Sequence, residues 1–375
     1  MDNKIEEYEE DKHIVNPIDN DGYIVNPFST KDIKITNAIV LLPSLINRIK
    51  HGEIINPAFQ RNSDLWNNKQ MSRLIESILL KLPLPVFYFD VSNPEKWVIV
   101  DGLQRLSTIR RFFVDKTLKL NNLEFLVELN GQSYDDLDRS FHRTIDDTEF
   151  ITYQIEAQTP KKVRYSIFNR INTGGLTLNA QEIRQALNQE GYGVDFLKEV
   201  STDNIFKRVV GVSPKRMLDK ELILRFIAFK LINFKEFKFN KMSVFLDESM
   251  DKLDSIQDKV ELDNLKNELL EVLVFSEKIL GENHRFSRSI ADSEKTKTLN
   301  RSLFDVITVC FSEIDDKKIF LEKKDLFMHK FLELLKDEKS DFSKSITEGT
   351  SDRSAIELRF KIMNNLIYEV LNENR

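Results

Sequence analysis

The hydrophobic residues between positions 69 and 80 recur with the period of a helix. Their spacing predicts a single apolar face made of Met71, Leu74, Ile75, Ile78 and Leu79. Pro83 and Pro85 follow this stretch, and prolines commonly stand just beyond a helix end. We therefore predict an amphipathic helix over 69–80, with Arg73 near its start.

Short runs rich in β-branched and aromatic residues replace this period farther along the chain. The runs 86–90 (VFYFD) and 97–100 (WVIV) are separated by SNPEK, which predicts two adjacent strands. The runs 123–127 (LEFLV) and 149–155 (EFITYQI) are further strand candidates. A helix near 134–144 is predicted between these last two runs.

Strand patterns almost disappear after residue 160. Asn179, with Glu182 three residues later, has the spacing of a capping box that opens the helix AQEIRQAL. Beyond about residue 190 the apolar runs have a helical period, among them LDKELILRFIAFKLI, SLFDVITVCF, KDLFMHKFLELL and SAIELRFKIMNNLIYEVL. The pattern predicts an acidic arm over 1–30, an α+β domain over 31–190 and a helical domain over 191–375.

Composition narrows the class of protein. The 375 residues are 41% hydrophobic, which is enough for a core, and the formal net charge of −6 argues against a general coating of nucleic acid. A local basic groove remains compatible with that charge. The start, MDNKIEEYEEDKH, lacks the order of a signal peptide, and no apolar stretch approaches the roughly 18 residues of a membrane span. We expect a soluble protein of the cytoplasm with no membrane partner.

Several kinds of site find no support in the sequence. The histidines show no metal-ligand spacing, and neither the phosphate-loop pattern GxxxxGK(S/T) nor the nucleophile pattern GxSxG occurs. The single cysteine, Cys310, has apolar neighbours and is expected in the core, whereas His329 is expected at the surface of a helix. Residues 234–241 (FKEFKFNK) fit either single-stranded nucleic acid or, more simply, a half-buried segment with one wet face.

The clearest candidate site is the strand-to-helix corner in VIVDGLQRL, residues 98–106. Gly102 lets the backbone approach a ligand, and a helix start presents N–H groups that suit a phosphate. Arg105 opposes the helix dipole there, at a cost of about 0.3–1 kcal/mol unless an anion compensates. Asp101 is suited to hold a divalent metal or to orient a water that Gln104 positions. The corner alone fits, more simply, a capping Asp101 with an Arg105 that is either solvated or salt-bridged.

Two further segments carry polar residues that suit the same cleft. The first is 56–66 (NPAFQRNSDLW), in which Gln60 and Arg61 equally fit surface positions ahead of a strand. The second is 168–184 (FNRINTGGLTLNAQEIR), whose candidates are Arg170, Asn172, Gly174 and Gly175. The alternative for this second segment is a helical turn with a glycine C-cap, which accounts for the glycines without a ligand.

Taken in order, FQR, RLIESILLKLPLP, VDGLQRLSTI and FNRINTGGLTLNAQEIRQAL resemble the N-terminal domain of GmrSD-type restriction proteins, whose hallmark is the motif DGQQR. The resemblance continues through LDKELILRFIAF and SITEGTSDRSAIELRF, so it extends over almost the whole chain. Several ordered motifs at suitable spacing are far more specific than the corner alone.

The resemblance implies a ParB/sulfiredoxin-like fold for the first domain, with a corner that binds nucleotide phosphates. In this resemblance, the motif DGQQR corresponds to DGLQR at residues 101–105, and its matching positions are Asp101, Gly102, Gln104 and Arg105. Its other matches are to an upstream Gln-Arg pair and an RINTGG segment, which correspond to Gln60, Arg61, Arg170, Asn172, Gly174 and Gly175. Leu103 departs from the motif because leucine cannot hydrogen-bond a phosphate or a water. If hydrolysis does not need the glutamine that is missing at position 103, the corner retains it. If hydrolysis does need that glutamine, the corner binds nucleotide without turnover.

The resulting hypothesis is a regulatory protein of a bacterial restriction or anti-phage system that binds, and in the leading version hydrolyses, a nucleoside triphosphate with Mg²⁺ at Asp101. Asp101, Gln104 and Arg105 are the expected catalytic residues, and the partners are DNA, including modified phage DNA, or a separate nuclease. A nuclease activity within this chain is not expected, and self-association stays open. Two alternatives are a DNA-binding or nicking protein that uses the same cleft, and a non-catalytic adaptor.

Overall fold

The computed structural model describes residues 30–55, 66–171, 179–188, 191–232, 242–282, 284–291 and 297–373. The chain separates into two compact units, with the division between residues 187 and 188. The first is a mixed α/β unit and the second is helical, which confirms the predicted α+β class with a helical C-terminal part. Among the described residues, no helix combines the length and the apolar character needed to cross a membrane.

A five-stranded mixed sheet forms the centre of the N-terminal unit. Its strands are β1 (Ile35–Leu41), β2 (Ile54–Ile55), β3 (Phe87–Asn93), β4 (Lys96–Asp101) and β5 (Glu149–Ile155). They lie in the order β1-β5-β3-β4-β2, with β1–β5 and β3–β4 antiparallel and β3–β5 and β2–β4 parallel. The predicted adjacency of the β3 and β4 runs is confirmed, as is the strand over 149–155.

Helices cover the two faces of this sheet unequally. On one face Trp97 and Ile99 of β4 join a large buried cluster with four helices: α1 (Leu42–Lys50), α2 (Asn68–Leu79), α3 (Leu103–Ile109) and α4 (Arg139–Asp146). On the other face Val98 and Val100 meet a smaller cluster with α5 (Lys161–Ile171) and α6 (Ala180–Leu187). This alternation follows from the period of two along a strand.

Helix α2 forms where the apolar period predicted it. Its predicted apolar face is buried, and Asn67 begins the helix with a capping box. The Asn67 side chain accepts the Gln70 N–H at 2.9 Å, and the Gln70 side chain accepts the Asn67 N–H at 3.0 Å. These bonds satisfy two of the donors that a helix start leaves open.

The predicted strand over 123–127 is wrong, and a buried carboxylate explains why. Glu76 of α2 is 3% exposed and accepts the backbone N–H groups of Glu124, Phe125 and Leu126 at 2.7–3.1 Å. These donors would otherwise be available to a neighbouring strand. The segment instead runs as a loop into a short 3₁₀ turn at Val127–Leu129.

The second unit consists of helices. They are α7 (Tyr192–Thr202), α8 (Asn204–Val210), α9 (Leu218–Leu231), α10 (Met242–Ser255), α11 (Lys259–Leu280), α12 (Arg301–Ser312), α13 (Lys317–Glu322), α14 (Lys324–Lys336), α15 (Asp341–Ser345) and α16 (Arg353–Asn372). Cys310 is buried, as predicted, and burial raises the pKa of its thiol well above the ordinary value. His329 is exposed, as predicted. The segment 234–241 lies outside the described residues.

One carboxylate, Asp305 of α12, lies at the centre of a buried ionic network. Arg225 of α9 donates to it twice, from Nε at 2.8 Å and from Nη2 at 2.6 Å. Arg359 of α16 places Nη2 3.7 Å from the same carboxylate and donates from Nη1 to the carbonyls of Ser345 and Thr350. The network therefore joins four helices, α9, α12, α15 and α16, and the segment between α15 and α16.

His284 provides a pH-dependent element in the helical unit. Its Nδ1 lies 2.9 Å from the Gly281 carbonyl, and its ring packs edge-on against Phe286. Burial lowers the pKa of His284, and the hydrogen bond to Gly281 opposes this only partly. The unfolded chain therefore takes up the proton at a higher pH than the folded chain. The resulting stability is present above the ordinary histidine pKa of about 6.5 and is lost as the pH falls below it.

We accordingly expect the free energy of unfolding to fall between pH 7.5 and pH 5.5, and to fall less in a His284→Gln variant. Urea unfolding followed by circular dichroism at the two pH values measures this difference. His329→Gln is the matched control because its ring is 72% exposed. Equal pH dependence in wild type and His284→Gln would contradict the assignment.

Candidate functional site

The corner between β4 and α3 depends on a glycine. Gly102 precedes α3 with φ 104° and ψ 15°, a backbone conformation that side-chain-bearing residues rarely adopt. A Cβ atom at this position would lie 2.4 Å from Cδ1 of Phe87, whose ring is fully buried. Gly102 is thus required both by its own backbone and by the close approach of β3.

The helix that follows presents its start without a side-chain cap. Gly102 has no side chain to donate or accept, and the first helical bond runs from the Leu106 N–H to the Gly102 carbonyl at 2.9 Å. The α-helix continues directly into a π-helical segment, Arg110–Val114. The simpler interpretation, with Asp101 as the cap, is wrong, because the capping position belongs to Gly102. Its other half holds, since Arg105 is salt-bridged.

Arg105 is buried and held by protein groups. Its Nη2 donates to the Val86 carbonyl and to Oδ2 of Asp101, both at 3.0 Å, and Nη1 donates to the Pro85 carbonyl. The guanidinium carbon lies 4.4 Å from the centre of the Phe87 ring. Burial lowers the pKa of Arg105, and the charge of Asp101 opposes this. Through these bonds Arg105 links the residues just before β3 to the first turn of α3.

Asp101 remains accessible. Its side chain is 37% exposed, and the ion pair to Arg105 engages Oδ2. In the described parts of the chain, no cluster of three or more His, Cys, Asp or Glu side chains is arranged to hold a metal. Mg²⁺ is commonly held by one or two carboxylates together with substrate phosphates and water. The donor set at Asp101 fits that kind of site.

Gln104 connects the corner to the segment before α2. Its Oε1 accepts the backbone N–H of Trp66 at 3.3 Å, and Trp66 packs against the apolar cluster. Gln60 and Arg61 lie outside the described residues.

Leu103, the departure from the DGQQR motif, is a packing residue. Its side chain is half-buried and contacts the apolar cluster beneath α2 and α3. The leucine therefore contributes to this apolar cluster.

The segment after α5 is described only in part. Arg170 is exposed near the end of α5, while Phe168, two residues earlier, is buried in the same cluster as Val100 of β4. Asn172, Gly174 and Gly175 lie outside the described residues. The predicted capping box of α6 is confirmed, because Asn179 and Glu182 exchange bonds at 2.7 and 2.8 Å.

Three residues of the corner were missed by sequence reasoning. They are Pro85 and Val86, whose carbonyls accept from Arg105, and Phe87, whose ring lies beneath its guanidinium. The signal that was available is Pro85 itself. A proline-rich exit from a helix leaves carbonyl acceptors without helical donors, and a buried arginine requires such acceptors.

A family model described as the GmrSD restriction endonuclease N-terminal domain matches residues 42–188. The matched range contains the whole described corner, together with α2, α5 and α6. No curated protein and no solved structure matches the chain.

Proposed function

We propose, from the match of residues 42–188 to the family model of the GmrSD restriction endonuclease N-terminal domain, that the β4–α3 corner binds the phosphates of a nucleoside triphosphate. The family relates the chain to restriction and defence. In our proposal the chain is a regulatory component of such a system, in which nucleotide state is linked to recognition of DNA or of a nuclease partner.

The geometry of Gly102 is the observation that carries this proposal. A left-handed glycine ahead of α3 leaves the helix start without a side-chain cap, next to an accessible carboxylate. Backbone N–H groups at such a start favour an anion, because the helix dipole is positive there. The phosphates would lie on this start, with Asp101 at their edge.

Asp101 is the residue that would hold Mg²⁺. The metal, when bound, neutralises phosphate charge and helps to align the group that is transferred. The carboxylate is held in place through its bond to Arg105, while the side chain remains accessible for a ligand. Gln104 would orient a water after release of the Trp66 N–H.

Arg105 takes a different role in this proposal from the one that the sequence suggested. Three of its N–H bonds are already made to protein acceptors, so it acts as a positioning residue for Asp101. Direct contacts to the phosphates would come from Arg61 and Arg170, which are the remaining arginines of the resemblance. Asn172, Gly174 and Gly175 are the other residues that the resemblance assigns to nucleotide binding.

Asp101→Asn tests the proposal because it removes the negative charge and retains a side chain of the same size. With the full chain and Mg²⁺, we expect phosphate release from the preferred triphosphate to fall about 10–100-fold, since one charged catalytic group is lost. Binding of labelled ATP, GTP, CTP and UTP, measured separately, should remain within about tenfold of wild type, a change of roughly 1.4 kcal/mol.

Asp115→Asn is the matched control. Asp115 is also 37% exposed and also pairs with an arginine, Arg110, at 3.2 Å, but it lies at the far end of the helical stretch. It should leave phosphate release unchanged. Equal effects of the two substitutions, or no binding of any of the four nucleotides by wild type, would sink the nucleotide assignment.

The adaptor alternative is favoured by one observation, the burial of Arg105 among protein acceptors. In that case the corner is a structural joint and the chain serves by binding a nuclease. It predicts no nucleotide binding in wild type, together with loss of stability in Arg105→Lys, which cannot reproduce the planar set of three bonds.

A further inference from the structure

The sheet of the N-terminal unit has one face that is only half covered. Ile155 of β5 joins the buried cluster beneath α5, but the side chains farther along β1 and β5 are exposed. Ile39 is 65% exposed and Ile151 is 55% exposed. We call this surface the β1–β5 face, made of Ile35, Ile39, Leu41, Ile151 and Tyr153.

The strand register places these side chains together on one side of the sheet. Ile39 lies opposite Ile151, and the polar, exposed Asn37 lies opposite Tyr153, between Ile35 and Ile39 along β1. Glu149, opposite Leu41, is the charged residue at its far end. In soluble proteins, neighbouring exposed apolar side chains are one of the features that mark an interaction site.

The chain itself supplies a suitable segment close to this face. The described residues begin with the 3₁₀ turn Thr30–Asp32, which leads directly into β1. The preceding stretch 22–28, GYIVNPF, is uncharged and contains Tyr23, Ile24, Val25 and Phe28. The earlier copy of its IVNP motif continues as IDND and is acidic.

The distances allow this segment to reach the whole face. From Ile35 to Leu41 the strand spans about 20 Å. Ile24 precedes Ile33 by nine residues, and nine residues extend to about 30 Å. A short tether of this kind gives an effective concentration on the order of millimolar, so even a weak contact is populated.

We propose that residues 22–28 bind the β1–β5 face of their own chain, with Ile24, Val25 and Phe28 against Ile39, Ile151 and Tyr153. An uncharged apolar segment meets an almost uncharged apolar face. A second copy is a poorer occupant, because each chain has a net charge of −6. A stable interface also buries about 800 Å² per partner, more than five partly exposed side chains supply.

A disulfide test in the full chain measures this contact. The native Cys310 is buried and leaves a low background. We expect Val25→Cys with Ile39→Cys to form an intramolecular disulfide at least tenfold faster than Val15→Cys with Ile39→Cys. Loop length alone predicts only about a twofold difference, for loops of roughly 14 and 24 residues. Rates within twofold, or a disulfide only between chains, would overturn the proposal.

A second measurement uses no introduced cysteine. The paired substitutions Ile24→Asp and Val25→Asp should uncover the face and raise the fluorescence of an apolar dye such as ANS at least twofold. The matched pair Ile14→Asp and Val15→Asp changes the first IVNP copy in the same way and should leave the fluorescence unchanged. Equal signals from the two pairs would contradict the proposal, whatever the outcome at the nucleotide corner.

Discussion

Replacing Asp305 by alanine is expected to lower the free energy of unfolding of the helical unit by about 3–5 kcal/mol. The substitution removes the shared acceptor of Arg225 and Arg359, and both arginines are buried. Removal of one partner of a buried ion pair leaves buried positive charge with less compensation, which costs far more than the intact pair contributes on balance. Arg225 retains a contact of 3.5 Å with Glu221. Guanidinium unfolding followed by helical circular dichroism measures the loss.

Glu357→Ala is the control for the Asp305 substitution. Glu357 accepts from Arg353 at 2.7 Å, but both side chains are about half exposed. Removal of such a surface pair should cost at most about 1 kcal/mol. If Asp305→Ala cost no more than this control, the carboxylate would not be the centre of the helical unit.

Gly102→Ala is expected to lower the free energy of unfolding by about 2–5 kcal/mol. Roughly 1–2 kcal/mol comes from the left-handed backbone and about 1–3 kcal/mol from forcing a methyl group against the Phe87 ring. The same substitution should abolish nucleotide binding, since it changes the start of α3. Thermal unfolding and the four-nucleotide binding assay report the two effects separately.

Gly131→Ala separates the two contributions. Gly131 also has a positive φ, of 89°, but a Cβ atom there would meet nothing within 4 Å. It should therefore show the backbone cost alone. A Phe87→Leu change should recover part of the loss in Gly102→Ala if the ring is the obstacle. Equal losses at the two glycines would show that the contact with Phe87 is unimportant.

Local signals were sufficient to predict much of the fold. The apolar period of α2 and the capping box of α6 are set by residues within a few positions of one another. The β3 and β4 runs are likewise joined by a short connection. In each case the residues that determine the element lie within the same stretch of sequence, so the local pattern is sufficient to predict the element.

Distant partners account for what the sequence did not predict. The loop at 124–126 is decided by Glu76, about 50 residues away, and β1 exists because it pairs with β5. At the corner the sequence identified Asp101 and Arg105, but it gave no indication that the guanidinium would bind the Val86 carbonyl. Such choices depend on which groups the fold brings together.

The place of β5 in the sheet sets the order in which the N-terminal unit can form. β5 is the last strand in sequence, yet it lies between β1 and β3 and pairs with both. During synthesis β1 therefore waits for more than 100 residues before its neighbour is made. Contacts of such long sequence separation slow folding and leave apolar strands open to aggregation. In a nascent chain, β1 can therefore pair with its neighbour in the sheet only after β5 has been made.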